Sequence, residues 1–420
     1  MNNKADAMKM KPEPKRKLMP SLRFPEFQDA PEWEEKNLGN VSIFVNERMP
    51  LEQLTLAEYV STENILPDYE GVKTASKLPP TGSATRFKTN DVLISNIRPY
   101  LKKVWLSNKE GGASNDVIVV RAKEKINDRY LSFILKNDAF IEYVMKGTKG
   151  VKMPRGDISL MKEYPLACPS IPEQQKIADC LSSLDDLIAA QGQKLGALKS
   201  HKKGLMQQLF PAEGETLPQL RFPEFQDAPE WEETTLGELG TLILGLTYSP
   251  SDVRDNGLLV LRSPNVKDGV IVLDDCVYVT TDVKRANLSK PNDILICVRN
   301  GSTALIGKNA IIPEDMPLCT HGAFMTVFRA KTPKFAYQLL QTKAYLSQVA
   351  AGLGARINSI NNSQLINYRF FVPPLPEQQK IADCLSSLDE QIAEQSQKLE
   401  ALKVHKKGLM QQLFPSAEEV

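Results

Sequence analysis

From Ile177 onward, apolar positions recur in alternating steps of four and three residues. The series runs Ile177, Leu181, Leu184, Ile188, Gln191, Leu195, Leu198, Lys202, Leu205 and Leu209. This is the covered seam of a heptad helix, with polar side chains on its other faces. The seam returns 204 residues later as Ile381, Leu385, Leu388, Ile392, Gln395, Leu399, Leu402, Lys406, Leu409 and Leu413, and segments 172–211 and 376–415 agree at 34 of 40 positions. Pro172 and Pro376 suit a first helical turn, with Glu173 and Glu377 near the positive end of the helix dipole. Pro211 and Pro415 mark the stops. Each predicted helix is roughly 50–60 Å long at 1.5 Å per residue. A single apolar stripe needs a partner, and the other copy is the obvious one. The first helix leads into the second variable segment and the second helix leads out of it, so a pair in contact along its length runs antiparallel. Gln191 then comes close to Gln395, where a buried polar pair would cost stability but help fix register.

A second block, LRFPEFQDAPEWEE, occurs at 22–35 and again unchanged at 220–233. What lies between the repeats is different in the two halves. The first variable segment has strand-like runs at 91–97 and 117–121, then an amphipathic helix at about 128–145. The second repeats that order with runs at 293–298 and 323–328 and a helix near 334–350. Asn90-Asp91 answers Asn292-Asp293, Lys152 answers Arg356, and Tyr164 answers Tyr368. The expected fold is α+β, with two α+β units joined by two long helices in an antiparallel coiled coil. The order of parts makes it pseudo-twofold and circular. The predicted divisions are a disordered tail at 1–18, a first unit with its leading linker at 19–171, and helix 1 at 172–211. A linker and second unit follow at 212–375, then helix 2 at 376–415 and a tail at 416–420.

Composition narrows the class. The chain has 420 residues, 42% hydrophobic and 25% charged, which is ordinary for globular domains, and no apolar run approaches a membrane span. The basic N-terminus lacks the apolar stretch of a secretory signal. Six cysteines without a CxxC pair suit a reduced compartment, and the expected location is the cytoplasm. Net charge is only +1, but it is unevenly placed. Residues 36–171 hold 20 basic against 15 acidic side chains, and 234–375 hold 14 against 10, whereas the linkers at 22–35 and 212–233 are acidic. Positive charge therefore accompanies the variable segments, as a footprint for phosphate would.

The loops of those segments concentrate groups that read or hold nucleic acid. In the first they are Asn96, Arg98, Tyr100, Lys102, Lys103, Lys149, Lys152 and Arg155. In the second they are Arg299, Asn300, Ser302, Thr303, Arg356, Asn358, Asn361 and Asn362. Arginine suits guanine, asparagine suits adenine, and lysine or serine suits phosphate. Solvated surface loops would look similar residue by residue. Catalytic and metal signals are missing. Gly301 to Asn309 resembles a phosphate-binding loop, but its spacing is one too long and Asn309 stands in place of Ser or Thr. His201 and His405 occupy one repeat position in lysine runs. His321, beside Cys319, is the remaining candidate base or ligand and reads more readily as a loop or core histidine. The chain is expected to bind no cofactor or metal of its own.

Two variable units, each followed by PEQQKIADCLSSLD (172–185 and 376–389) opening a heptad helix and preceded by an LRFPEF linker, resemble the specificity subunits of type I restriction–modification systems. The resemblance covers nearly the whole chain after residue 18. It implies a non-catalytic subunit whose two target recognition domains each read half of a bipartite, asymmetric site in double-stranded DNA. The coiled coil would set the spacer. Two modification subunits would dock on the repeated scaffold with S-adenosylmethionine, and restriction or motor subunits using ATP and Mg would join for cleavage. No membrane partner is implied. A stand-alone tandem DNA-binding regulator and a protein–protein adaptor are the alternatives. Tight binding to its site without methyltransferase subunits would mark the first, and a steep fall of DNA affinity with salt would exclude the second.

Overall fold

The computed structural model describes residues 18–148, 150, 153–281, 283, 287–353 and 358–415. Residues 1–17 of the expected N-terminal tail and the tail at 416–420 lie outside them. Two compact units divide the chain. One comprises Met1–Gly192 with Lys398–Val420, and the other comprises Gln193–Gln397. Each contains one variable segment, the first part of the long helix that follows it, and the last part of the other long helix.

The long helices span Ile171–Leu209 and Leu375–Leu413. They stop before Pro211 and Pro415 because the residue preceding a proline is pushed out of the helical region. Every seam position is buried or partly covered, with Gln191 at 7% and Gln395 at 8% exposure. Six positions differ between the repeats, and all but Gly192/Ser396 are exposed in both copies.

In the first unit, Ile177 and Leu181 from the start of one helix share a core with Leu413 and Phe414 at the end of the other. The Tyr130 ring lies 5.4 Å from that of Phe414. The second unit joins Ile381 and Leu385 to Leu209 and Phe210 in the same way. Lys406 reaches Asp185 at 2.5 Å in the first unit, and Lys202 reaches Asp389 at 2.6 Å in the second. The two aspartates are one repeat position and the two lysines another. Within each unit the helix segments therefore run antiparallel.

The linker repeats because it clamps the helix start. Arg23 donates two hydrogen bonds to Glu173 (2.7 and 2.8 Å), and its Nη groups also donate to the Ala30 and Pro31 carbonyls. The two side chains are 7% and 1% exposed. Arg221 binds Glu377, Ala228 and Pro229 in the same pattern. Lys176 pairs with Glu26, and Lys380 with Glu224. Beyond the clamp, Glu34–Asn37 pairs antiparallel with Pro165–Cys168, the strand that feeds the first long helix, and Glu232–Thr235 pairs with Arg369–Val372.

Each variable segment forms two four-stranded sheets; one has the same strand order in both units, and the other does not. In the first unit one sheet runs Ser42–Phe44, Val117–Ala122, Val92–Ser95, Val104–Leu106, all antiparallel. Its counterpart runs Gly240–Leu244, Met325–Ala330, Ile294–Cys297, Asn309–Ile311. The second sheet of each unit ends in a parallel pair, Tyr59–Val60 with Gly111–Ala113 and Leu258–Leu261 with Cys319–His321. The Asn-Asp echo is structural. Asn90 and Asn292 take left-handed turns (φ 68° and 67°), a region asparagine tolerates. Asp91 then holds Arg121, and Asp293 holds Arg329, each pair with both oxygens engaged.

The single helices expected at 128–145 and 334–350 are each two helices. Asp128–Leu135 is followed by Asp138–Lys146, and Pro333–Leu339 by Lys343–Gly352. Asn137 and Thr342 explain the breaks, since their side chains accept the Ala139 and Tyr345 N–H groups as helix N-caps.

Candidate nucleic-acid interface

In the first unit the chain leaves strand Val92–Ser95 through Asn96, and Ile97 forms an antiparallel bridge with Arg155. The Arg98 N–H donates to the Pro154 carbonyl (2.8 Å), and the Gly156 N–H to the Asn96 carbonyl (3.2 Å). Two loops far apart in sequence are thereby joined, bringing Asn96, Arg98 and Arg155 together. Arg98 is exposed and left-handed at φ 51°, a conformation that costs of order 1 kcal/mol or more for a residue with a Cβ and gathers at functional sites. Among the described residues, Asn96 Oδ1 is buried with no hydrogen-bond partner. Arg155 pairs with Asp116 at 3.1 Å, and Tyr100 is 49% exposed. The lysines go elsewhere. Lys102 pairs with Asp138 at 2.5 Å. Lys103 donates to the Thr62 carbonyl, and burial lowers its pKa, with Lys73 adding to the effect. Lys149 and Lys152 lie outside the described residues.

The second unit builds the same junction with other side chains. Arg299 bridges Ser359, and the Asn300 N–H donates to the Asn358 carbonyl. Asn358 Nδ2 donates to the Gly301 carbonyl (3.0 Å), Asn300 Nδ2 to Ser263 Oγ (3.0 Å), and the Ser302 N–H to Asn300 Oδ1 (3.0 Å). Thr303 opens a short 3-10 turn. Asn361 is used locally, capping helix Asn362–Ile366 by accepting the Gln364 N–H, while Asn362 Nδ2 lies 3.5 Å from Thr326 Oγ1. Arg356 lies outside the described residues. Ser263, Asp116 and Phe324 join these junctions without having been picked from the sequence. They sit on turns that only strand register brings alongside.

The loop resembling a phosphate cradle is a strand-flanking turn. Asn309 Nδ2 donates to the Gly307 and Leu340 carbonyls, inside the fold. His321 lies on a buried strand between Ser289 Oγ (Nδ1, 3.0 Å) and the Ile243 carbonyl (Nε2, 2.9 Å). Burial lowers its pKa from 6.5. Because the folded value is depressed, the stability this neutral ring supports is complete above about pH 6.5 and is lost as pH falls below it. The slope is at most about 1.4 kcal/mol per pH unit for one proton. Urea midpoints followed from about pH 8 to about pH 5 should fall for the wild type and flatten in His321→Gln. An equal fall in both would remove His321 as the cause. Among the described residues, no cluster of His, Cys, Asp and Glu could hold a metal, and no helix is long and apolar enough to cross a membrane.

Two variable α/β units on one repeated helical frame, each with a polar junction at the same strand exit, define a tandem recognition architecture. The chain belongs to the type I restriction modification DNA specificity domain family, whose model matches residues 31–200 and 229–404. It is 26% identical to the MjaVIII specificity subunit of Methanocaldococcus jannaschii over 415 residues, covering 95% of this chain and 94% of that protein. It is 29% identical to the EcoKI specificity subunit of Escherichia coli K12 over 172 residues, 39% of this chain and 37% of that one. The crystal structure of the S subunit from M. genitalium shares the fold, with a TM-score of 0.63 at 16% identity over 95% of this chain and all of that one. A chain from a study of type I R-M complex assembly and conformational transition gives 0.52 at 21% identity, covering 92% and 98%.

Proposed function

We propose that this chain is the DNA-reading subunit of a type I restriction–modification complex, each unit recognising one half of an asymmetric double-stranded site. The observation that carries the reading is the junction built twice on matched strands with different side chains: Asn96, Arg98 and Arg155 in one unit, Arg299, Asn300 and Asn358 in the other. Identical readers would suit a symmetric site, and unlike readers suit an asymmetric one. The long helices act as an antiparallel, pseudo-twofold coiled coil that sets the spacer. Exposed lysines repeated on both, such as Lys194/Lys398 and Lys199/Lys403, give one partner two equivalent docking places. Two modification subunits would dock there, bringing S-adenosylmethionine, and restriction subunits would bring ATP and Mg. The chain itself supplies base contacts, phosphate contacts and geometry.

The test is co-expression with type I modification (methyltransferase) subunits of its source organism, followed by pull-down and DNA binding at several salt concentrations. A stoichiometric complex whose specific binding weakens steeply with salt is expected. Absence of a complex would overturn the reading. Arg299→Ala or Asn358→Ala should relax discrimination in one half-site by about 1–3 kcal/mol and leave the other intact. Methylation mapping checks this, and equal loss in both halves would contradict separate readers.

A further inference from the structure

Phe324 stands 57% exposed on the turn before strand Met325–Ala330. Its carbonyl accepts the N–H groups of both Val298 and Arg299 (3.0 and 3.1 Å), and the Met325 N–H closes the turn on the Gly322 carbonyl. The ring is therefore carried on backbone fixed from two sides. The Arg299 guanidinium lies 5.6 Å from the ring centroid, holding a cation over the aromatic face at the Arg299–Asn358 junction. In the first unit the matched residue is Asp116. It immediately precedes strand Val117–Ala122, its carbonyl accepts the Asn96 N–H, and its carboxylate pairs with Arg155. One unit thus offers an aromatic ring and a cation where the other offers a carboxylate.

We propose that Phe324, backed by Arg299, is a wedge that the second unit inserts at a base step of its half-site, and that the first unit reads without one. This rests on the DNA-reading function proposed above. Apolar side chains that enter a stack unstack it and kink the duplex, while a neighbouring cation neutralises the phosphates drawn in. Arg299 can leave the ring face for a phosphate or base edge, and the base then takes the face that the guanidinium occupied. The step entered should be a flexible pyrimidine–purine one, such as TA or CA, in or beside that half-site.

The experiment uses the chain assembled with its modification subunits, on duplexes carrying the methylation-mapped site. 2-Aminopurine replaces, one at a time, the adenines of each half other than the methylated ones. The second unit's half is the one whose recognition changes in Asn358→Ala. Wild-type complex should raise fluorescence in that half alone, and Phe324→Trp should keep the rise. Phe324→Ala should abolish it and weaken binding roughly 5- to 150-fold, the range for loss of one aromatic–base stack. No rise in either half, with Phe324→Ala binding as tightly as wild type, would overturn the wedge and leave the DNA-reading function standing. Failure of Phe324→Ala to assemble would place the ring at a protein contact and equally overturn it. A complex with no sequence preference at all would overturn both.

Discussion

Arg23→Ala is expected to destabilise the first unit by about 3–5 kcal/mol, the usual cost of removing one partner from a buried ion pair. Glu173 is 1% exposed, and without Arg23 the side-chain donor it would keep among the described residues is the Trp33 indole N–H at 3.2 Å. A buried carboxylate stripped of its cation cannot recover that loss from water. Arg221→Ala tests the mirror position, and it should cost at least as much. Glu377 is equally buried, and among the described residues Trp231 Nε1 has no hydrogen-bond partner, so no indole donor remains there to help. The double variant Arg23→Met, Glu173→Gln should lose much less than Arg23→Ala, because no unpaired charge is left while the indole keeps an acceptor. Calorimetric melting of the singles and the double checks this. If Arg23→Ala melted within a degree or two of wild type, the clamp would not be what ties linker to helix.

How much of this could be read from residue order depends on the length scale of each feature. The heptad seams were legible because a 3.5-residue repeat sustained over ten positions is distinctive, and each of those positions is buried or partly covered. Strands Val92–Ser95 and Ile294–Cys297 were legible as short apolar runs beside Asn-Asp turns. The breaks at Asn137 and Thr342 were not, since a polar residue inside an amphipathic pattern reads as the solvent face until its side chain is seen capping. The clamp was hidden for a different reason. Arg23 and Glu173 are 150 residues apart, and each alone reads as surface charge. The same holds at the candidate interface. Composition singled out both loops of each junction, but the Ile97–Arg155 and Arg299–Ser359 bridges that join them are long-range pairings. Lys102 and Asn361 show that a loop residue can also have a local use. Their chemistry suits DNA, yet one is held by Asp138 and the other caps a helix.

Deleting one heptad from each long helix at matched places should change which DNA is modified more than any point substitution would. Seven residues span about 10.5 Å of helix, which corresponds to about three base pairs at 3.4 Å each. Because the cut equals one seam repeat, Ile177 and Leu209 stay on the same stripe, and both copies of the Asp–Lys pair can still form. The preferred spacer should therefore shorten by up to about three base pairs while both half-sites keep their sequences. Three base pairs also remove about a third of a turn of duplex, a rotation the helix deletion does not match. The new sites should accordingly be modified less completely than the old ones were by wild type. Cutting only one helix is the control. It shifts one Asp–Lys pair out of register with the other, so stability should fall along with modification. Methylation mapping of cells carrying each variant reads spacer and half-sites together. An unchanged spacer in the doubly cut protein would rule out the helices as the ruler, and altered half-sites would mean that the units do not read independently.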